Sequence, residues 1–159
     1  MEQIRDMKFK SRQGIRGHAH IELRGPDGRI KEVRDIENTI TELMDAHVAD
    51  QLSPVPDEAA IGYMAIGTGS GQGAADVGLA VSLDRNALDS TTQGAGAADN
   101  DLIYVCTWAP ADGTGAITEA GILIGDNNTS MMTYADFAVA NKLAADSMVI
   151  TWTVTFGAS

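Results

Sequence analysis

The stretch SMVITWTVTF, residues 147–156, decides the fold. Met148, Ile150, Trp152, Val154 and Phe156 stand at alternate positions, with Val149, Thr151, Thr153 and Thr155 between them. A period of two in β-branched and aromatic residues belongs to a strand with one face toward a core. Left unpaired, that face would remain wet, so the stretch is predicted to pair within the main sheet, with Trp152 as the leading core residue. Working back along the chain, DLIYVCTWAP (101–110) alternates in the same way. It sets Leu102, Tyr104, Cys106 and Trp108 on one side and Ile103, Val105 and Thr107 on the other, as for a central strand covered on both faces. Between these two strands, PADGTG turns the chain into AITEAGILI, and GDNN turns it again into TSMMTYADF, a hairpin or meander.

The first half of the chain adds similar pieces. HAHIELR and RIKEVRD flank GPDG, where Pro26 suits a turn corner and Gly28 a positive backbone angle, so they form a polar hairpin. From Asn38 the period lengthens: Ile40, Leu43, Met44, His47, Val48, Gln51 and Leu52 recur every three or four residues and predict a helix near residues 39–52. Asn38 or Thr39 would cap it, with Thr39 and Glu42 spaced for a capping box, and Pro54 and Pro56 would stop it. AAIGYMAIGTG reads as a buried strand ending in glycines, and GSGQGAAD as a loop. GLAVSLDR places Leu79, Val81 and Leu83 on one face, and DSTTQGAGAADN reads as a mobile surface loop. Seven to nine strands and one helix favour an antiparallel β-sandwich or jelly-roll-like body over an alternating α/β fold.

Composition agrees with one such domain. The 159 residues include 44% hydrophobic residues, only eight aromatics, and 17 Gly with 4 Pro, so the core must be aliphatic and the turns glycine-rich. The single cysteine, Cys106, cannot form an intrachain disulfide. The start lacks the apolar stretch of a signal peptide, and no apolar window is long enough to span a membrane as a helix.

The net charge of −11 conceals a division: residues 1–34 hold nine Lys/Arg against five Asp/Glu, residues 35–159 two against seventeen. Residues 1–17 therefore form a basic N-terminal arm, and residues 18–159 an acidic sandwich domain. Arg5, Lys8, Lys10, Arg12 and Arg16 either solvate a loose terminus or dock the arm on a partner, including the acidic body of a neighbouring subunit. Nucleic acid is disfavoured as a partner, because the acidic remainder repels phosphate and no reading helix or aromatic platform is present.

No catalytic or cofactor motif completes itself. GTGSGQG lacks the lysine and hydroxyl of a phosphate loop, and Ala74 stands where a dinucleotide fingerprint needs glycine. His18, His20 and Glu22 share a strand face on which two imidazoles could reach one zinc, but a polar face explains them as well. Asp99 to Asp101 and Asp126 to Asn128 are oxygen-rich loops without the spacing of a calcium-binding helix–loop–helix. There is no GxSxG elbow and no HExxH helix. The expectation is a non-enzymatic assembly or binding protein without cofactor or metal, with Tyr104, Trp108, Trp152 and Phe156 as core or interface anchors.

Taken in order, the GPDG hairpin, IENTITELMDAHVADQL, IGYMAIGTGSG, AITEAGILI and MVITWTVTFG resemble a family of small tailed-bacteriophage virion proteins, found as capsid decoration or tail-associated components. The resemblance covers roughly residues 18–157 and is most distinctive in ITEAGI followed by VITWTVTF. It implies a β-sandwich body and a role as a capsid decoration (cement) protein, with a tail adaptor, fibre or baseplate component as the alternative and a soluble ligand-binding β domain as a second. It also implies the major capsid protein or tail proteins as partners, a homo-oligomer with a trimer favoured, no membrane, and a virion location after assembly in the host cytoplasm. By the same resemblance Asn38 begins the helix, Gly67 and Gly69 close the central strand, and Glu119 and Gly121 mark the inner hairpin. The chain departs from the family in the segment before its last strand, where Lys142 is the sole cation.

Overall fold

The computed structural model describes residues 14–157. Two five-stranded antiparallel sheets pack face to face as a β-sandwich, the first ordered β2-β1-β10-β7-β6 and the second β3-β9-β8-β4-β5. The strands are β1 (Ile15–Arg24), β2 (Ile30–Glu37), β3 (Thr39–Ile40), β4 (Tyr63–Gly67), β5 (Ser82–Ala87), β6 (Ser90–Gln93), β7 (Asp101–Trp108), β8 (Gly115–Leu123), β9 (Met131–Lys142) and β10 (Ser147–Phe156). Among the described residues, one α-helix, α1 (Glu42–Gln51), and a short 3₁₀ turn (Gly96–Ala98) accompany the strands.

The central strand of the first sheet is β10, paired from Ile15↔Phe156 to Arg24↔Ser147 with β1 and from Met148↔Trp108 to Thr155↔Asp101 with β7. β7 is therefore one strand in from the edge rather than central. Its alternation holds: Tyr104, Cys106 and Trp108 are buried, while Ile103, Val105 and Thr107 are half-buried on the outer face. From β10, Met148, Ile150, Trp152 and Val154 are fully buried; with Ile21 and Leu23 of the adjacent β1 they share a core with Met64, Ile66 and Ile122 of the opposite sheet. The Trp152 indole N–H donates to Asn38 Oδ1 at 3.0 Å, so this large side chain is buried with its polar atom met.

Four local expectations are corrected. Asn38 does not begin the helix: it links β2 to β3 and receives Trp152. The helix cap is Thr41, not Asn38 or Thr39, and its hydroxyl donates to the carbonyls of Met131 (2.6 Å) and Met132 (3.1 Å) instead of closing a capping box. The Glu42 amide is satisfied by the Ala74 carbonyl at 2.8 Å, so tertiary bonds replace the local cap. The segment expected to be a mobile loop contains β6, an edge strand in register with β7 from Ser90↔Val105 to Gln93↔Leu102. Finally, β1 starts at Ile15, so the body begins before residue 18 and Arg16 lies in a strand, paired with Thr155 and exposed. Arg5, Lys8, Lys10 and Arg12 lie outside the described residues.

The second sheet departs from simple alternation. Residues 119–123 of β8 are buried on both faces, because the glycine-rich segment 68–81 folds back across the outer side of this sheet. Beneath it lies a second small core of Ala65, Leu79, Leu123, Met131 and Tyr134. Leu79 therefore points into that core while Val81 and Leu83 stay exposed, and the expected common face of the three does not form. Lys142, the sole cation between Arg85 and the last strand, is also fully buried. Its ammonium donates to the carbonyls of Asp146 (2.8 Å) and Ala109 (3.1 Å), and burial lowers its pKa. It ties a turn and offers no docking charge.

Candidate functional site

Two places gather enough side chains to be weighed as sites. The first surrounds Glu119 on β8, which is fully buried. Its Oε1 accepts the amides of Val81 (2.7 Å) and Gly69 (3.0 Å), and its Oε2 accepts the Ala80 amide (3.0 Å) and the Tyr134 hydroxyl (2.8 Å). Four donors on two oxygens leave this carboxylate fully engaged. Burial, and then the hydrogen bond to Glu119, raise the Tyr134 pKa, so that phenol stays neutral. A Cβ on Gly67 would press on the Val81 carbonyl and the Glu119 carboxyl, and one on Gly69 would lie 2.9 Å from Glu119 Oε1. The glycines of GTG thus make room for a carboxylate rather than for a phosphate. Further bonds hold the same strap: Gly71 N to Asp136, Thr118 Oγ1 to the Gly69 carbonyl, and a mutual pair between Asn128 and Leu79. Its polar groups are spent on architecture.

The second place is different in kind. The apolar stripe of α1 starts in the core with Met44 and His47 buried, passes through half-buried Val48, and runs out at Gln51 and Leu52, the latter 82% exposed. Pro54 and Pro56 end the helix there, and Val55 between them is 76% exposed. Opposite the last helical turn stand Phe156 at the end of β10, Leu102 and Tyr104 of β7, and Thr91 of the short strand β6. Together with Ala60 and Ile61 they enclose an open groove of about 440 Å³. β6 is too short to close over it, and all four of its residues are exposed.

Polar chemistry in the groove is sparse. His47 Nδ1 donates to Glu58 Oε2 at 2.7 Å, and Asp50 accepts the amides of Asp57 and Glu58, which lowers its pKa. Burial pushes the Tyr104 phenol up to about 12, and burial is also the main cause holding the Cys106 thiol up at about 12, so neither ionises near neutral pH. Among the described residues no group of three or more His, Cys, Asp or Glu has the geometry to hold a metal ion. His18 and His20 both bond Asp35, at 3.1 and 2.7 Å, and His20 also bonds Glu22, on the outer face of the first sheet. Asn100 and Asp101 tie strand ends to Phe156 and Thr155, and Asp126 pairs with Arg85.

Of the four anchors expected from sequence, the structure brings Tyr104 and Phe156 together in the groove and sends Trp108 and Trp152 into the core. The groove's other wall, α1 beyond Val48 with Thr91, carries only a weak local sign of this role, since its partners are distant in sequence. An unburied continuation of a helical stripe just before two prolines was the available signal. The chain matches no protein-family model, no curated protein and no solved structure.

Proposed function

We propose that the chain is a non-enzymatic structural protein that works by holding neighbouring proteins, and that it serves as a capsid decoration protein of a tailed-phage virion. The observation that carries the attachment role is the groove: half-buried Leu102 and Phe156 and exposed Leu52 line one open apolar space at an end of the sandwich, whereas the carboxylate of Glu119 is fully hydrogen-bonded. The virion setting is supported by the order of segments from the GPDG hairpin to MVITWTVTFG. A tail-associated component would use the same surface in fewer copies. Electron microscopy of native particles tests both: density for the sandwich repeated over the head is the expected result, density confined to the tail selects the alternative, and particles without the chain overturn the virion role.

The groove's volume also lies within the range of about 300–1,000 Å³ common to small-molecule pockets, which favours a ligand-binding β domain as the second function. Native mass spectrometry of the purified chain separates the two. A retained apolar molecule in a monomer supports the ligand, and a bare oligomer supports attachment.

A further inference from the structure

The inner wall of the groove differs from its rim. Gln51, Leu52 and Thr91 at the rim are exposed, whereas His47 and Tyr104 are only 5% and 3% exposed. Each of these two carries one polar atom that no other group meets among the described residues. The buried Tyr134 hydroxyl donates to Glu119 at 2.8 Å, but the Tyr104 hydroxyl has no such acceptor. His47 uses Nδ1 on Glu58 and leaves Nε2 unpaired. Neither Tyr104 Oη nor His47 Nε2 is shut away from solvent as the unpaired Trp108 Nε1 is, and the space that reaches both is the groove their residues line. Polar atoms at the inner end of an apolar passage carry a cost until something enters to meet them.

Their chemistry specifies what enters. Glu58 accepts from His47 Nδ1 at 2.7 Å, so the imidazole proton sits on Nδ1 and Nε2 is an acceptor. Burial pushes the Tyr104 phenol up to about 12, so it keeps its proton and is a donor. A hydroxyl is the smallest group that gives one hydrogen and takes another. Water does so too, but it leaves the apolar wall of Met44, Ile61, Leu102 and Phe156 uncovered. A carboxylate has only acceptors and would face an acidic frame: residues 41–61 contain five carboxylates and residues 89–104 three, and neither contains a Lys or Arg. An ammonium has only donors and would lose its hydration against apolar side chains. The volume of about 440 Å³ is that of a small-molecule pocket.

Given the ligand-binding reading of the groove, we propose that it takes a neutral apolar alcohol, its hydroxyl held at Tyr104 and His47 and its hydrocarbon body lying along Ile61, Leu102 and Phe156.

Titration of the full, isotope-labelled chain followed by nuclear magnetic resonance tests this with four probes: n-octanol, heptyl methyl ether, octanoate and octylammonium. The ether matches the alcohol in heavy atoms but has no O–H to give. Saturable shifts at the Met44, Ile61 and Leu102 methyl groups are expected with n-octanol, about tenfold tighter than with the ether and tighter than with either ion. Tyr104→Phe removes an atom without a partner in the protein, so it should leave the melting temperature unchanged and erase most of the preference for alcohol over ether. A purely packing role for Tyr104 would leave that preference intact. Ether binding as tight as alcohol, a preference undiminished by Tyr104→Phe, or tightest binding by one of the ions overturns the alcohol while the ligand-binding reading stands. No saturable binding by any of the four removes the ligand-binding reading itself, and the alcohol with it.

Discussion

The strap over the second sheet and the groove under α1 are both irregular regions laid on a regular sandwich, and they solve opposite problems. At the strap, a chain rich in glycine brings backbone amides to a buried carboxylate, and each oxygen of Glu119 receives two donors. At the groove, apolar side chains gather without a cover and few polar atoms take part. Buried polar groups that are fully met make a region rigid and chemically quiet. Apolar surface left open is the kind of region at which another molecule is proposed to dock. Motif-like sequence (GTGSGQG) thus marks structure here, whereas the featureless end of a helix marks the site.

The strongest way to break this contrast is Glu119→Ala. It leaves three backbone amides and the buried Tyr134 hydroxyl without this acceptor and should cost about 3–5 kcal/mol in urea unfolding, comparable to truncating the fully buried Trp152. A loss under about 1 kcal/mol would show that the strap is not held by this carboxylate. Gly67→Ala should follow at about 1–3 kcal/mol, because its Cβ meets the Val81 carbonyl and the Glu119 carboxyl, while Gly73→Ala, whose nearest neighbour is 3.9 Å away, should be close to neutral. Equal effects at the two glycines would remove the steric account of GTG.

At the groove the expectation reverses. Leu52→Asp in the groove wall, or Val55→Asp on the exposed turn beyond it, should change unfolding free energy by no more than about 0.5 kcal/mol, yet reduce oligomer formation measured by sedimentation. A large loss of stability would mean that these side chains already serve the fold.

The smallest effect belongs to the outer face of the first sheet, which is neither strapped nor apolar. Hydrogen bonds to Asp35 and then Glu22 raise the His20 pKa above 6.5; Asp35 is lowered chiefly by His20, and Glu22 by Arg24 and then His20. The raised imidazole contributes stability that is complete below about pH 6.5 and fades as pH rises through its folded value, while the lowered carboxyls contribute above about pH 4.5 and fade as pH falls. These contributions overlap between about pH 4.5 and 6.5. His20→Gln should therefore lower Tm by about 1–2 °C more at pH 5.5 than at pH 8.5, a modest figure because the groups are screened by solvent. Equal losses at both pH values would show that no charge is involved.

Much of the sandwich is legible in order and spacing. The alternation of residues 147–156 and 102–108 fixes strands, faces and core, since each pattern stays regular over a full strand and meets a partner of the same kind. Elements governed by distant partners are not legible. Thr39 and Glu42 have the spacing of a capping box, but Thr41 finds Met131 and Met132 across the sheet. Ser90–Gln93 has no apolar residue to announce a strand and forms one because β7 offers an edge. Leu79, Val81 and Leu83 alternate as a strand should, yet Glu119 captures the backbone between them and turns only Leu79 inward. Tyr104 and Phe156 are legible as anchors, but the open space between them and α1 depends on where the helix stops relative to the sheet, which no local pattern encodes.

The adjacency of β1 and β10 bears on how the protein acquires its structure. Ile15 pairs with Phe156 and Arg24 with Ser147, so the first sheet joins segments from opposite ends of the described chain, and β7 can reach β1 only through β10. The entropy of closing so long a loop is spent before the pairing returns any energy, which places this domain among slow folders whose rate is limited by topology. Hairpins β4–β5 and β8–β9 can form early from near neighbours, leaving half a sandwich with its apolar face exposed until residues 147–156 arrive. The protein's period of greatest exposure to aggregation therefore precedes the insertion of a single strand.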